Sequence, residues 1–452
     1  MTRANITKYT YGIWLILISS QIFASFEIQE FELANGMRVL MHNDKQQKQV
    51  NIEMLYKAGA TKDPKFKSGL ASLTQRVLTT TAIADRKSSL NQTIEAYAGS
   101  NHHEMFYDNA SYNSTINPQH LEKTLELYAT LMQPLSFDDQ HLNQLINYQL
   151  MARSQLIDND VIGSMLENNQ ALAYIKSPYR HPLIGWASDL KQINYDDVVQ
   201  WHKTWYVPNN AILVITGHFE PKQTLKWVEK YFENIPAKTI ETSISEEILM
   251  PEAQSTITSF WASSPFLLIT YHVPSFLAGQ NNSDVFSLII ASKLLTRSAQ
   301  DIIQQPDLFE QDVSDIVTSY TSMVNGSGLF QVMVYLKPNR DPHLTLEKIQ
   351  NAFETIRQNP IAEKQINISK AFITAQWAYI KETPREISRL IAYSAQSGLE
   401  ETLIYDYLSH INRTNSQTIT QAISQHLNQH NRSTTILMPS LQGVINHQDV
   451  YG

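Results

Sequence analysis

His426 and His430 stand four apart in the segment SQHLNQH, a spacing that sets two imidazoles on one helical face and could chelate a divalent metal. The places where a zinc-binding helix would carry its general base hold Leu427 or Gln429, so hydrolysis is not expected there. His102-His103-Glu104 lies between Gly99-Ser100 and a tyrosine-rich strand. Neighbours on a strand point to opposite faces, so these imidazoles converge only if the chain bends; otherwise this is a solvated loop. Nucleophilic serine chemistry has no Gly-x-Ser-x-Gly elbow, and Gly326-Ser327-Gly328 reads as a turn before a strand at Leu329. The 14 glycines form no phosphate-cradling loop, and with no cysteine the chain has no thiol nucleophile, disulfide or thiolate-bound metal.

The elements that must position these residues fall into two similar sets. Phe26–Leu33, then Asn35-Gly36, then Met37–Met41 predicts a hairpin, followed by a strand over Val50–Lys57 and a helix over Ser68–Thr80. A strand at Ala110–Ile116, the pair Asn117-Pro118 and a helix over Gln119–Met132 are matched by a strand at Leu329–Leu336, Lys337-Pro338 and a helix over Leu344–Gln358. Both helices carry a Leu-Glu-Lys triplet, Leu121–Lys123 and Leu346–Lys348. Ala211–Thr216 after a helix through Trp201 and Trp205 is matched by Thr434–Met438 after a helix through Ile419, Ile423 and Leu427. The pairs recur at an offset of about 220 residues, so a duplicated α+β unit is expected. The expected layout is a unit over residues 26–237, a polar acidic linker over 238–252, a second unit over 253–440 and a tail over 441–452. Each unit is read as an antiparallel sheet faced by helices on one side.

The N-terminus reads as a cleavable export segment over residues 1–24. Arg3 and Lys8 precede the apolar run Gly12–Ala24, which is short for a membrane span, and Ala24 or Ser25 offers a small cleavage residue despite Ile22 three positions back. A retained anchor is the other reading, and no cysteine follows to carry a lipid. Loss of Arg3 and Lys8 takes the formal charge from −8 to −10, which argues against nucleic acid or an anionic membrane surface as partner.

Three stretches carry a family resemblance: FELANGMRVLMHND from Phe31, KAGATKDPKFKSGLASLTQRVL from Lys57, and HPLIGWASDLKQINYDDVVQWHKTWYVPNNAILVITGHFEP from His181. In these and in its duplicated halves the chain resembles the M16 metallopeptidases of the pitrilysin and mitochondrial-processing-peptidase type. The resemblance implies the two-domain LuxS/MPP-like metallohydrolase fold. It also implies a helix after the Gly-x-Ala segment bearing an inverted zinc motif, His-x-x-Glu-His, with a distal glutamate as the last ligand. Here Gly69-Leu70-Ala71 leads into Ser72-Leu73-Thr74-Gln75-Arg76. The ligand positions are thus Ser72 and Arg76, the general-base position is Gln75, and the distal ligand falls at Gln149 in the helix Leu142–Leu156. Arg76 has no lone pair to give, Ser72 is a weak neutral donor, and Gln75 cannot take a proton from water. Active relatives also place an arginine and a tyrosine in the second domain; Arg297 comes too early and Phe309 stands near the tyrosine position.

The expectation is an exported M16-like protein without catalytic residues, metal ligands or a cofactor of its own, where active relatives use zinc. It would complete the chamber of an active M16 peptidase as a non-covalent heterodimer, or pair with itself, and bind peptide, away from nucleic acid and membrane. Such an export signal in this family suggests the periplasm, with secretion as the other destination. The alternatives are an active zinc metalloendopeptidase with non-standard ligands and a stand-alone peptide-binding protein.

Overall fold

The computed structural model describes residues 27–81, 88–240, 253–259, 262–277, 279–297, 308–359 and 361–440. The expected export segment, most of the linker and the tail lie outside the described residues.

Six strands form the first sheet: β1 (Gln29–Glu32), β2 (Arg38–Asn43), β3 (Val50–Tyr56), β4 (Ser100–Met105), β5 (Ala110–Ile116) and β6 (Ala211–Gly217). The hairpin turns at Gly36, whose φ of +79° suits glycine, and sets Glu32 opposite Arg38. The second sheet holds β7 (Ala253–Ser259), β8 (Phe266–Val273), β9 (Val313–Thr321), β10 (Gly328–Leu336) and β11 (Arg432–Pro439). Spatial order is β1-β2-β6-β3-β5-β4 in the first and β7-β11-β8-β10-β9 in the second. Apart from the extra edge strand β1, the two orders superpose. Both sheets are antiparallel save for one pair, β2 with β6 and β7 with β11.

The described helices of the first half are α1 (Leu70–Thr80), α2 (Leu90–Ala96), α3 (Leu121–Ala129), α4 (Asp139–Arg153), α5 (Val161–Ala173), α6 (Ala187–Leu190), α7 (Tyr195–Trp205) and α8 (Pro221–Phe232). The described helices of the second half are α9 (Ser283–Arg297), α10 (Pro342–Gln358), α11 (Glu363–Glu382), α12 (Pro384–Gln396), α13 (Glu401–Arg413) and α14 (Ser416–His426).

The expectation of sheets covered on one side gives way to a two-sided arrangement. Val50, Ile52, Met54 and Tyr56 of β3 face the first core with α1 and α3. The alternate residues Leu40, Leu55, Ile212 and Val214 are also buried, but against Trp377, Ile387 and Ile391 of the second half. Helix α12 thus covers the outer face of the first sheet. In return α5 covers the second sheet, where Met165 packs with Leu268 and Leu437. Strands that read as continuous apolar runs need cover on both faces, and here each half supplies it to the other.

Buried polar contacts repeat the exchange. Ser388 on α12 donates to the Asn51 side chain on β3 at 2.5 Å. At the equivalent place Asn169 on α5 accepts from Thr270 on β8 at 2.5 Å and donates to Thr435 at 3.1 Å.

Candidate functional site

The start of α1 is fastened from several sides. Gly69 has φ +91° and Gly185 has φ +88°, and the two backbones touch: a Cβ on Gly69 would lie 2.9 Å from the Gly185 Cα. Asp63 accepts from the Gly69 and Ala71 amides at 2.7 and 2.8 Å, satisfying donors that a helix N-terminus leaves open. Asp189 accepts from the Ser68 hydroxyl at 2.8 Å, and that hydroxyl accepts from the Trp186 amide at 3.0 Å.

Along α1, Ser72 is half-buried and Gln75 buried. The Gln75 amide donates to the Ser111 and Glu104 carbonyls at 3.0 and 3.1 Å, tying the helix to β5 and β4. The Arg76 guanidinium lies 4.4 Å from the ring centroid of Tyr148 on α4. Next to that tyrosine, Gln149 is fully buried and donates to Ile184 O at 2.8 Å and Gly69 O at 3.3 Å, while its own carbonyl oxygen has no partner. One turn on, Arg153 makes a bidentate pair with Glu167 at 2.7 Å and donates to Gly185 O at 3.0 Å. The fold therefore brings α1 and α4 together and seats Arg76 and Gln149 at their contact.

These residues do not fit a zinc ion. None offers an imidazole nitrogen or a carboxylate, Gln149 on α4 spends its amide on main-chain carbonyls, and Arg76 fixes a positive charge on α1. Among the described residues, no group of three or more His, Asp or Glu side chains is arranged to hold a metal ion.

His102 and His103 lie on β4 and diverge. His103 sits 2.7 Å from the Asn91 side chain, and burial pushes its pKa down to about 4. His102 is exposed, and partial burial followed by the charge of Arg385 lowers its pKa. The reading of His426 and His430 on one helix is corrected: α14 ends at His426, which pairs with Asp284 at 2.9 Å, and His430 sits in a separate turn over Gln429–Asn431. Phe309 packs against the second core. The side chain of Arg297 lies outside the described residues.

One residue escaped the sequence reading. Glu53 on β3 is 1% exposed, with its carboxylate accepting from the Ser111 hydroxyl and the Asn113 amide. Burial raises its pKa to about 7 against the lowering by those two bonds and by Arg389. An acid inside the run VNIEMLY was its signal.

With this geometry in hand, the chain belongs to the M16 peptidase family. The family description "Insulinase (Peptidase family M16)" matches residues 38–185, and "Peptidase M16 inactive domain" matches residues 192–372. The zinc protease PqqE of Helicobacter pylori is 20% identical over 400 residues, covering 86% of this chain and 89% of that protein. The crystal structure of a protease from Helicobacter pylori is similar with a TM-score of 0.84 and 19% identity, over 91% of this chain and 99% of that one. The periplasmic protease PqqL from Escherichia coli is similar with a TM-score of 0.76 and 13% identity, over 92% of this chain and 48% of that one. No helix among the described residues is long and apolar enough to cross a membrane.

Proposed function

We propose that this chain is an exported, non-catalytic M16 subunit that completes the chamber of an active M16 zinc peptidase and holds its peptide substrate. One observation carries the reading. The helix that the resemblance assigns to the zinc motif is kept in place, but the Gln75 and Gln149 side-chain amides donate to backbone carbonyls and the Arg76 guanidinium lies over a tyrosine ring. Metal chemistry would need a base and anionic or imidazole ligands at those places.

What such a subunit retains is surface. β4 ends the order of the first sheet, and its Ser100, His102 and neighbours alternate toward solvent, so an extended peptide can add there as a further strand. The export segment over residues 1–24 supports a periplasmic site of action, as does the likeness to the periplasmic PqqL.

Affinity purification of the tagged chain from its native cells, followed by mass spectrometry of the cell envelope fraction, tests the proposal. A stoichiometric M16 peptidase bearing an intact His-x-x-Glu-His motif is expected. Recovery of the chain alone would refute the partnership and favour a stand-alone peptide binder. Stoichiometric zinc in the purified chain with chelator-sensitive peptide cleavage would refute the loss of catalysis.

A further inference from the structure

A cavity of about 790 Å³ lies where the two halves meet, a size suited to a small organic ligand. Its first-half wall is β3 and the turn Phe106–Asn109; the facing wall comes from α9, the segment after β9, and α11, α12 and α13. The lining is strongly aromatic: Phe106, Phe276, Tyr320, Trp377, Tyr393 and Tyr407. Trp377 and Tyr407 stack at 4.4 Å, 15° from parallel, presenting a rigid wall.

Two buried acids in this lining, Glu53 and Asp108, have only neutral described partners, and Glu53 is the more deeply buried, 1% exposed against 6%. Ser111 and Asn113 occupy two of the roughly four acceptor sites of the Glu53 carboxylate. Asp108, also in the lining, is engaged by Tyr179, Asn325 and the Val324 amide. Arg389, the cation whose field reaches Glu53, is drawn off by Glu104 at 3.1 Å and Glu386 at 3.7 Å. Lys293 is half-exposed and keeps contact with water. An ammonium group entering the cavity would meet a carboxylate short of positive charge in a poorly solvated setting, where such attraction is strong. The aromatic faces would add their own attraction for a cation.

We propose that this cavity is a binding site for a small aromatic amine, its ring against the aromatic wall and its ammonium group on the Glu53 carboxylate. The site stands whether or not the chain pairs with a peptidase, so its test and the co-purification fail separately.

Calorimetry and thermal unfolding of the whole exported chain with three indole probes provide the test: tryptamine, neutral skatole and anionic indole-propionate. Tryptamine is expected to bind saturably and about tenfold or more tighter than either other probe. Its affinity should rise as pH climbs through about 7, where Glu53 gives up its proton while the amine keeps its own. Glu53→Gln should erase the preference for tryptamine and leave skatole binding unchanged. Equal or tighter binding of indole-propionate, absence of saturable binding by any probe, or a preference that survives in Glu53→Gln would each overturn the proposal. Should that variant not fold, the ranking and pH dependence measured on the unaltered chain still decide.

Discussion

At Gln149, where the resemblance places the distal metal ligand, we propose that packing has taken the place of ligation. The Gln149 amide donates to two carbonyls, at 2.8 and 3.3 Å, in a fully buried place. Gln149→Glu, which restores the ligand that the resemblance implies, would set a carboxylate against those carbonyls. It should lower stability at neutral pH by about 2–4 kcal/mol, with recovery as acid protonates the new side chain. Urea unfolding of the variant across pH measures this, and an unchanged midpoint would contradict the packing role. A second residue-scale effect comes from His202, 4% exposed, donating to Leu131 O at 2.7 Å. Burial holds its pKa down at about 4, below the ordinary 6.5. The unfolded chain therefore takes up the proton first, and stability is lost as pH falls from about 6.5 towards 4. The loss is about 3 kcal/mol at most. A pH series of thermal midpoints should flatten over that window in His202→Gln. Residue identities at Ser72, Gln75, Arg76 and Gln149 were plain in the chain. Their new partners were not, because Ile184, Ser111 and Tyr148 come near only on folding.

At the scale of elements, α1 owes its position to backbone contact. A Cβ on Gly185 would come within 2.3 Å of Ser68 O at a φ of +88°, so no side chain fits without moving the helix start. Gly185→Ala should cost about 3 kcal/mol or more and loosen α1 from α4, read by faster hydrogen exchange at Leu73–Leu78 than at β3. Equal protection in both would show that Asp63 and Asp189 suffice. Most elements were legible because their apolar period and turn residues are local: β5 spans Ala110–Ile116 as read, and Asn35-Gly36 turns the hairpin. The end of α14 was not. Leu427 continues the apolar period of Ile419 and Ile423 and is 1% exposed, but as the residue closing the helix. Asn431 then ties the chain to the His426 and His272 carbonyls, at 2.7 and 2.6 Å, a contact no local pattern reveals.

For the whole molecule, the exchange of α5 and α12 makes each half depend on the other. A fragment of residues 27–240 leaves Leu40, Leu55, Ile212 and Val214 without the α12 face that buries them. Expressed alone it should be poorly packed and bind apolar dyes, whereas the full chain cut within residues 241–252 should run as one species by gel filtration. A well-folded fragment would show that the exchanged helix is dispensable. The amino-acid order by itself determined the repeat, most strands and helices, the family and the lack of a His-x-x-Glu-His run after Gly69-Leu70-Ala71, since these rest on residue type and short-range period. Only the tertiary structure decided which sheet each repeated helix covers. The two helices meet their sheets through equivalent contacts, Ser388 with Asn51 and Asn169 with Thr270, so a local pattern fits either sheet. Chain connection and mutual burial choose between them. The same choice sets Glu53 of one half beside the aromatic wall of the other.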